Sequence, residues 1–388
     1  MGTKVITPRT VGSPDFMLIL TTLALLSLGI VMVFSSSVGY QVGYVGTTDV
    51  FKFLKAQAEW AIIGIFAMIL LMNVDHKLYK RYAPVIMLFG LIALVLVFVP
   101  RLGLVQRGSA RWLKLGPFTM QPSETIKLAL SIFLAAILAG RKLKSFKDIL
   151  LPLGAIGVCA LLVVKQPDLG TTLVIVFTAV SMLFTAGMRS KHFLVILGVG
   201  VAALALVINK TQYMLERIQV WLDPWAFAQG KGYQTVNALL ALGSGGVFGA
   251  GLGRGMQKFG HVPENHTDMI FAIIGEELGL IGTAGVILLF VLFVWRGLSL
   301  ASHLKDPFSR YLAVGITCMI GFQALINLGV VTGLLPVTGV TLPFISYGGS
   351  SLTLNLAGVG ILLNISRYSQ RDRRAQLNRA AKTLDSVS

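Results

Sequence analysis

The sequence predicts an all-α polytopic membrane protein with ten transmembrane helices. Three observations carry that expectation. The 388 residues are 55% hydrophobic and only 13% charged, with a mean hydropathy of +0.79, more apolar material than one soluble core can bury. Uncharged runs of the roughly 20 residues needed to cross a hydrocarbon core recur along the chain. Lysine and arginine outnumber aspartate and glutamate by 33 to 16, and in so apolar a chain that excess orients loops against a membrane. No basic groove interleaved with aromatic residues points to nucleic acid. Cys159 and Cys318 each lie in an apolar run, where a buried free thiol is the simplest reading.

The spans follow in order. After a short segment, 1–15, the run 16–48 is too long for a signal peptide and is followed by no small-residue cleavage site, so it is expected to remain as the first span. Runs at 60–74 and 82–100 supply the second and third, and runs at 125–139, 149–164, 169–188 and 193–209 the fourth to seventh. A large extracytoplasmic loop, 210–267, separates the seventh span from the eighth, 269–295, which carries Glu276 and Glu277 without identifiable partners. Residues 311–366 hold no charged residue, leaving room for two spans around a glycine- and proline-containing turn at 333–349. The membrane domain is thus 16–366. The basic tail, 367–388, reads as a solvated orienting segment, with anionic lipid or a cytosolic protein as the alternative occupant.

Ten spans place both termini on one side. Lysine and arginine are concentrated there, as in Lys77, Lys80 and Arg81, in Arg141, Lys142, Lys144 and Lys147, and in the tail, although the opposite loops are far longer. Both termini are therefore expected in the cytoplasm, with the chain in the cytoplasmic (inner) membrane. Two outward loops stand out. The segment 101–123 carries Arg101, Arg107, Arg111 and Lys114 with no acid, and 210–267 interleaves aromatic, glycine and charged residues. Positive charge on the disfavoured side fits an anionic ligand, and equally fits solvated surface residues.

Ionisable residues at membrane depth are expensive, which directs attention to three places. Glu124 and Lys127 follow Gln121-Pro122-Ser123 and share one helical face, either as a structural ion pair or as a carboxylate steadying an anion-facing lysine. Asp168, in Gln166-Pro167-Asp168-Leu169-Gly170-Thr171 beside Lys165, stands where a helix begins; capping explains it, and a substrate or cation can also reach it. The third is Pro263-Glu264-Asn265-His266-Thr267-Asp268, directly before an apolar run. Thr267 or Asp268 would serve as a cap, yet four polar side chains at one membrane boundary exceed what a cap requires. His261, Glu264, His266 and Asp268 match no tight zinc spacing. The glycines at 243–255 lack the strand, helix and Lys-Ser/Thr context of a nucleotide site, so a flexible loop is expected. The charge-free turn containing Ser346 and Tyr347 is expected beside the outward cavity, because irregular backbone near membrane depth must line a cavity or be buried.

These motifs resemble the SEDS family (shape, elongation, division and sporulation), the peptidoglycan polymerases typified by FtsW, RodA and SpoVE. The resemblance rests on Gly108-Ser109-Ala110-Arg111-Trp112-Leu113 with Gln121-Pro122-Ser123-Glu124, and on Gln166 to Thr171. It continues through Pro263 to Asp268 with Gly275-Glu276-Glu277-Leu278-Gly279, and Leu335-Pro336-Val337-Thr338-Gly339 through Ser351, all in family order. The wording of 260–268 is most similar to the division branch. The resemblance implies a ten-helix glycosyltransferase that joins lipid II into glycan strands on the outer face of the membrane, during cell division. It carries the family's catalytic aspartate onto Asp268, its Glu–Lys pair onto Glu124 and Lys127, its second outward carboxylate onto Asp168, and a substrate contact onto Arg111. Expected partners are a class B penicillin-binding protein (a transpeptidase) and other divisome membrane proteins.

The chemistry agrees with that inventory. A lipid-linked donor carries its own diphosphate leaving group, so no nucleotide is needed. Asp268 is expected to act as base toward the acceptor hydroxyl. Arg111, Lys127, Lys165 and Arg217 are the candidate cations for the departing diphosphate, with a divalent ion, magnesium or manganese, bridging Asp168. Glu264, His266, Ser346 and Tyr347 complete the expected substrate contacts. Two rival readings are a lipid II flippase and a non-catalytic scaffold for the penicillin-binding protein.

Overall fold

The computed structural model describes residues 12–40, 49–106, 109–116, 118–143, 145–260 and 262–385. Twelve α-helices and three short strands occur among them: α1 (Phe16–Tyr40), α2 (Lys52–Asn73), α3 (His76–Leu96), β1 (Gly103–Gln106), β2 (Ser109–Leu115), β3 (Phe118–Met120), α4 (Pro122–Ala139), α5 (Phe146–Val164), α6 (Leu169–Thr185), α7 (Ser190–Lys210), α8 (Gln212–Leu222), α9 (Tyr233–Ser244), α10 (Ile270–Ser302), α11 (Pro307–Val331) and α12 (Gly349–Asp385). Nine of the described helices are long and apolar enough to cross a membrane, and α6, with 17 residues, is the shorter apolar helix beside them. The protein is an all-α polytopic membrane protein, as its composition requires.

The core is built from α4, α11 and α12, with 83% of the α12 window buried against none of the α7 window. Small residues allow the closest approaches: a Cβ at Gly360 of α12 would stand 2.4 Å from the Met68 carbonyl oxygen of α2. Backbones that meet this closely maximise dispersion contacts where no hydrophobic drive separates helix from lipid. Polar ties lock one end of the bundle. Asp15 pairs with Arg296 (2.7 Å), the Asp15 amide donates to Ser366 Oγ (3.0 Å), and Arg367 donates to Asn73 Oδ1 (2.8 Å). The strands, α8, α9 and the turn 332–348 lie at the opposite end.

That opposite end departs from the sequence reading in three respects. The loop 101–123 is not wholly irregular: β1, β2 and β3 form an antiparallel sheet in that order. The alternation of buried Leu113 with exposed Lys114 is the period-two signal for it. The loop 210–267 holds two helices and a 3₁₀ turn at Trp225–Phe227. The glycine-rich stretch, expected to be flexible, is stitched to α10. Gly279 interrupts α10 with φ 65° and ψ −162°, freeing backbone groups on both sides. The amides of Ala250 and Gly251 donate to the carbonyls of Glu276 and Glu277 (2.9 and 3.0 Å), and those of Leu280 and Ile281 donate to Gly246 and Val247 (2.9 and 3.2 Å). Glycine is required where the two segments of this stitch meet, since a Cβ at Gly249 would sit 2.2 Å from the Glu277 carbonyl oxygen. Elsewhere boundaries shift: α2 begins at Lys52, eight residues before the expected span, and α1 is followed to Tyr40, with 41–48 outside the described residues.

Candidate active site

Four charged side chains from four separate segments converge at the strand-bearing end. Asp168 is the N-cap of α6, and its carboxylate accepts from the Thr171 amide (3.1 Å) and hydroxyl (2.8 Å). Arg111 of β2 donates from Nε to the Gln166 carbonyl (2.9 Å) and from Nη2 to that of Pro167, which fixes the turn presenting Asp168. Arg217 of α8 donates to the Val337 carbonyl and the Tyr213 hydroxyl, its guanidinium lying 4.4 Å from the Tyr213 ring centre. Asp268, only 8% exposed, precedes α10. Burial holds the Arg217 guanidinium below its ordinary pKa; Arg111 acts in the same direction, while Tyr213, Asp268 and Asp168 oppose it. One arginine thus senses both carboxylates and the other arginine at once.

The Asp268 loop is held from two sides. Asn327 of α11 donates to the carbonyls of both Asp268 and Val340 (2.7 Å each), joining the loop to the turn 332–348. The Tyr347 amide donates to the His266 carbonyl (2.9 Å), and the His266 ring packs 4.5 Å from Phe53 of α2. Glu264, with a left-handed φ of 55°, accepts from the Thr267 hydroxyl (2.9 Å), which itself lies 3.3 Å from Asp268 Oδ1. Glu264 and His266 therefore shape the loop from within.

Other candidate residues lie apart from the cluster. Lys127 is buried inside the bundle rather than presented on the cleft: Nζ donates to Glu124 (2.9 Å) and to Gln323 Oε1 (2.6 Å), leaving its charge compensated. Gln323 in turn donates to the Thr341 carbonyl (3.0 Å) and Ser351 Oγ (3.2 Å), so the Glu124–Lys127 pair supports the turn from below. Lys165 stands exposed at the end of α5, and among the described residues no ion pair joins it to Asp168. Ser346 is tied into its turn, its hydroxyl accepting from the Leu342 amide (2.8 Å) and its carbonyl from Gln57 (3.3 Å). Arg107 and His261 lie outside the described residues. Among the described residues, no three His, Cys, Asp or Glu side chains gather to hold a metal ion.

Sequence reasoning did not single out Phe53, Gln57, Gln323, Asn327 or Lys258. The available signal was an amide side chain isolated in a charge-free span, as at Gln323 and Asn327, where an unsatisfied polar group is expensive. A cavity of about 350 Å³ adjoins the cluster, lined by Tyr213, Glu216, Arg217, Trp221, Lys231 and Val337 among others. Helix α7 touches α5 and α6 through its first turn, where Phe193 meets Phe184 and His192 meets Phe146, and makes its substantial helix contact with α8. None of the α7 window is buried against the rest of the bundle, although Phe193 and Ile196 pack on its core.

The family model for FtsW, RodA and SpoVE, described as "Cell cycle protein", matches residues 16–371. The chain belongs to the FtsW/RodA/SpoVE family. Among its relatives, Stage V sporulation protein E of Bacillus subtilis (strain 168) is 44% identical over 361 residues, covering 92% of this chain and 98% of that protein. A probable peptidoglycan glycosyltransferase FtsW of Geobacter metallireducens is 41% identical over 358 residues, covering 91% and 94%. The fold of this FtsW/RodA/SpoVE protein is similar to that of the rod shape determining protein RodA of Thermus thermophilus, with a TM-score of 0.69, 31% identity, and coverage of 91% and 97%. A chain from a peptidoglycan synthase complex, described as coordinating polymerization and crosslinking, superimposes with a TM-score of 0.75 at 31% identity, covering 92% and 98%.

Proposed function

We propose that this FtsW/RodA/SpoVE family protein is a peptidoglycan glycosyltransferase that polymerises lipid II at the outer face of the cytoplasmic membrane, with both termini in the cytoplasm. The observation that carries the reading is the convergence of Asp268, Asp168, Arg111 and Arg217 at one mouth of the bundle, where Arg111 holds the turn before Asp168, Arg217 holds Val337, and Asn327 joins the Asp268 loop to nearby Val340. The reaction needs what that cluster offers. Asp268 takes the proton from the acceptor sugar's 4-hydroxyl as that oxygen attacks the donor's anomeric carbon, with inversion. The new C–O bond forms as the bond to the diphosphate oxygen breaks, and the electron pair leaves with the diphosphate. Arg111 and Arg217, half-buried beside the buried carboxylates, would face that departing negative charge as fixed cations that stabilise it. Beside the weakly packed α7 the polyprenyl tail would have a route that keeps it in lipid.

A divalent cation, magnesium or manganese, fits this donor set only with the substrate's help. One or two carboxylates together with phosphate oxygens are the usual magnesium environment, and Asp168, whose oxygens also accept from Thr171, is the carboxylate that would contribute. Such an ion would neutralise diphosphate charge. The proposed partner is a class B penicillin-binding protein, the transpeptidase that would crosslink the new strand, alongside other divisome membrane proteins. A division duty rests on the wording of residues 260–268.

Detergent-solubilised protein supplied with lipid II, alone and with its transpeptidase partner, tests the reading, because detergent abolishes sidedness. Glycan polymer is the expected product. Translocation of lipid II in vesicles with no polymer under either condition would overturn the enzyme in favour of a transporter.

A further inference from the structure

We propose that Lys258 and Glu277 are positioning residues for Asp268, forming a buried latch that fixes the loop bearing it. The inference rests on the role given to Asp268 above and concerns groups that role does not use. Glu277 is fully buried, and its carboxylate accepts from Lys258 Nζ (2.8 Å), Ser35 Oγ of α1 (2.7 and 2.8 Å to its two oxygens) and the Gly253 amide (3.0 Å). Lys258, 2% exposed, also donates to the Gly253 carbonyl (2.7 Å) and to Ser35 Oγ (3.3 Å). The neighbouring Glu276 carboxylate accepts the amides of Met256 (2.6 Å) and Gln257 (3.1 Å). The adjacent acids of α10 thus bind the glycine-rich stretch side by side, at the break made by Gly279.

The latch reaches the candidate base in few steps. The Lys258 carbonyl accepts from Asn265 Nδ2 (2.9 Å), and Asn265 Oδ1 lies 3.1 Å from His266 Nδ1. His266 is tied through its carbonyl to Tyr347, and Asp268 through its own to Asn327. The loop is clamped between the latch on one side and the turn 332–348 on the other. A merely structural tie among α1, α10 and this stretch would be met with less desolvation by apolar residues, since burying an ion pair costs several kcal/mol per ion before attraction returns it. Hydrogen-bonded charges instead impose one geometry, which a base aimed at a hydroxyl requires.

The test uses the full-length protein with its partner in detergent, comparing Lys258→Met, Glu277→Gln, the double variant and Lys258→Arg. Lys258→Met and Glu277→Gln are each expected to lower kcat for lipid II polymerisation by about a hundredfold, the loss that follows ångström-scale misplacement, with KM little changed. Amide hydrogen exchange in 262–269 should accelerate in both, Lys258→Arg should recover most of the rate, and the double variant should be no slower than the worse single, as for residues acting as a unit. Glu277→Gln, nearly isosteric, serves if Lys258→Met fails to fold. Native kcat in both singles, slowed catalysis without faster exchange in 262–269, or losses that multiply in the double variant would overturn the latch. Wild-type protein that makes no polymer would overturn the role of Asp268 instead, and the exchange measurement would then judge the latch on its own.

Discussion

Replacing Asp268 with asparagine should lower the rate of lipid II polymerisation by about 10²–10⁴-fold, the range that a positioned general base supplies. The substitution keeps size and shape and removes only the proton-accepting charge. The backbone tie survives it, because Asn327 donates to the Asp268 carbonyl rather than to its side chain. Folding should therefore be preserved, and lipid II binding should change little while kcat collapses. Single-turnover polymerisation with purified protein, alongside a thermal unfolding curve in the same detergent, measures both. A variant that unfolds would show that the carboxylate serves structure, and one that polymerises at the native rate would assign the base elsewhere.

Replacing Lys127 with methionine should destabilise the bundle by about 3–5 kcal/mol, the usual consequence of leaving one member of a buried ion pair uncompensated. Glu124 is poorly placed to absorb that loss, since its Oε2 is already buried without a hydrogen-bond partner. The substitution also releases Gln323, and with it the support of the turn beneath Thr341 and Ser351. Adding Glu124→Leu should restore much of the stability, because apolar side chains often replace a buried pair without loss, and activity should return with it. Thermal unfolding and polymerisation rates of the single and double variants check this. A stable but inactive double variant would return Lys127 to the role of a diphosphate-facing cation, one of the candidates the reaction chemistry offered.

The contrast between Lys127 and Arg217 marks where sequence reasoning reached its limit. Both are cations near motifs, and sequence spacing places Lys127 one turn from Glu124 without saying whether the pair faces a cleft or the core. That depends on α11, whose Gln323 meets the ammonium across 196 residues of chain. The spans were legible because membrane thickness imposes a length on every apolar run. Boundaries at α2 and α10 were not, since Lys52, Lys55 and Glu59 extend a helix past the hydrocarbon edge, and Ser302 ends one well beyond Trp295. The Asp268 segment was readable from its density of polar groups at an apolar boundary. The partners of Glu276 and Glu277 were not, because they are the backbone amides of Gly253, Met256 and Gln257, which no side-chain pattern announces, and the side chains of Lys258 and of Ser35, 242 residues away. The sheet was hidden by its shortness, with only the alternation around Leu113 to mark it.

The location of Asp268 is the point on which the mechanism turns, and accessibility from each side of the membrane tests it most directly. A single cysteine at 268, written Asp268→Cys in a chain whose Cys159 and Cys318 are replaced by serine, can be challenged with a membrane-impermeant maleimide in vesicles of defined orientation. Slow labelling from the outer side, suited to a position 8% exposed, and protection by added lipid II are the expected results. Labelling only from the side that carries the chain termini would contradict the account.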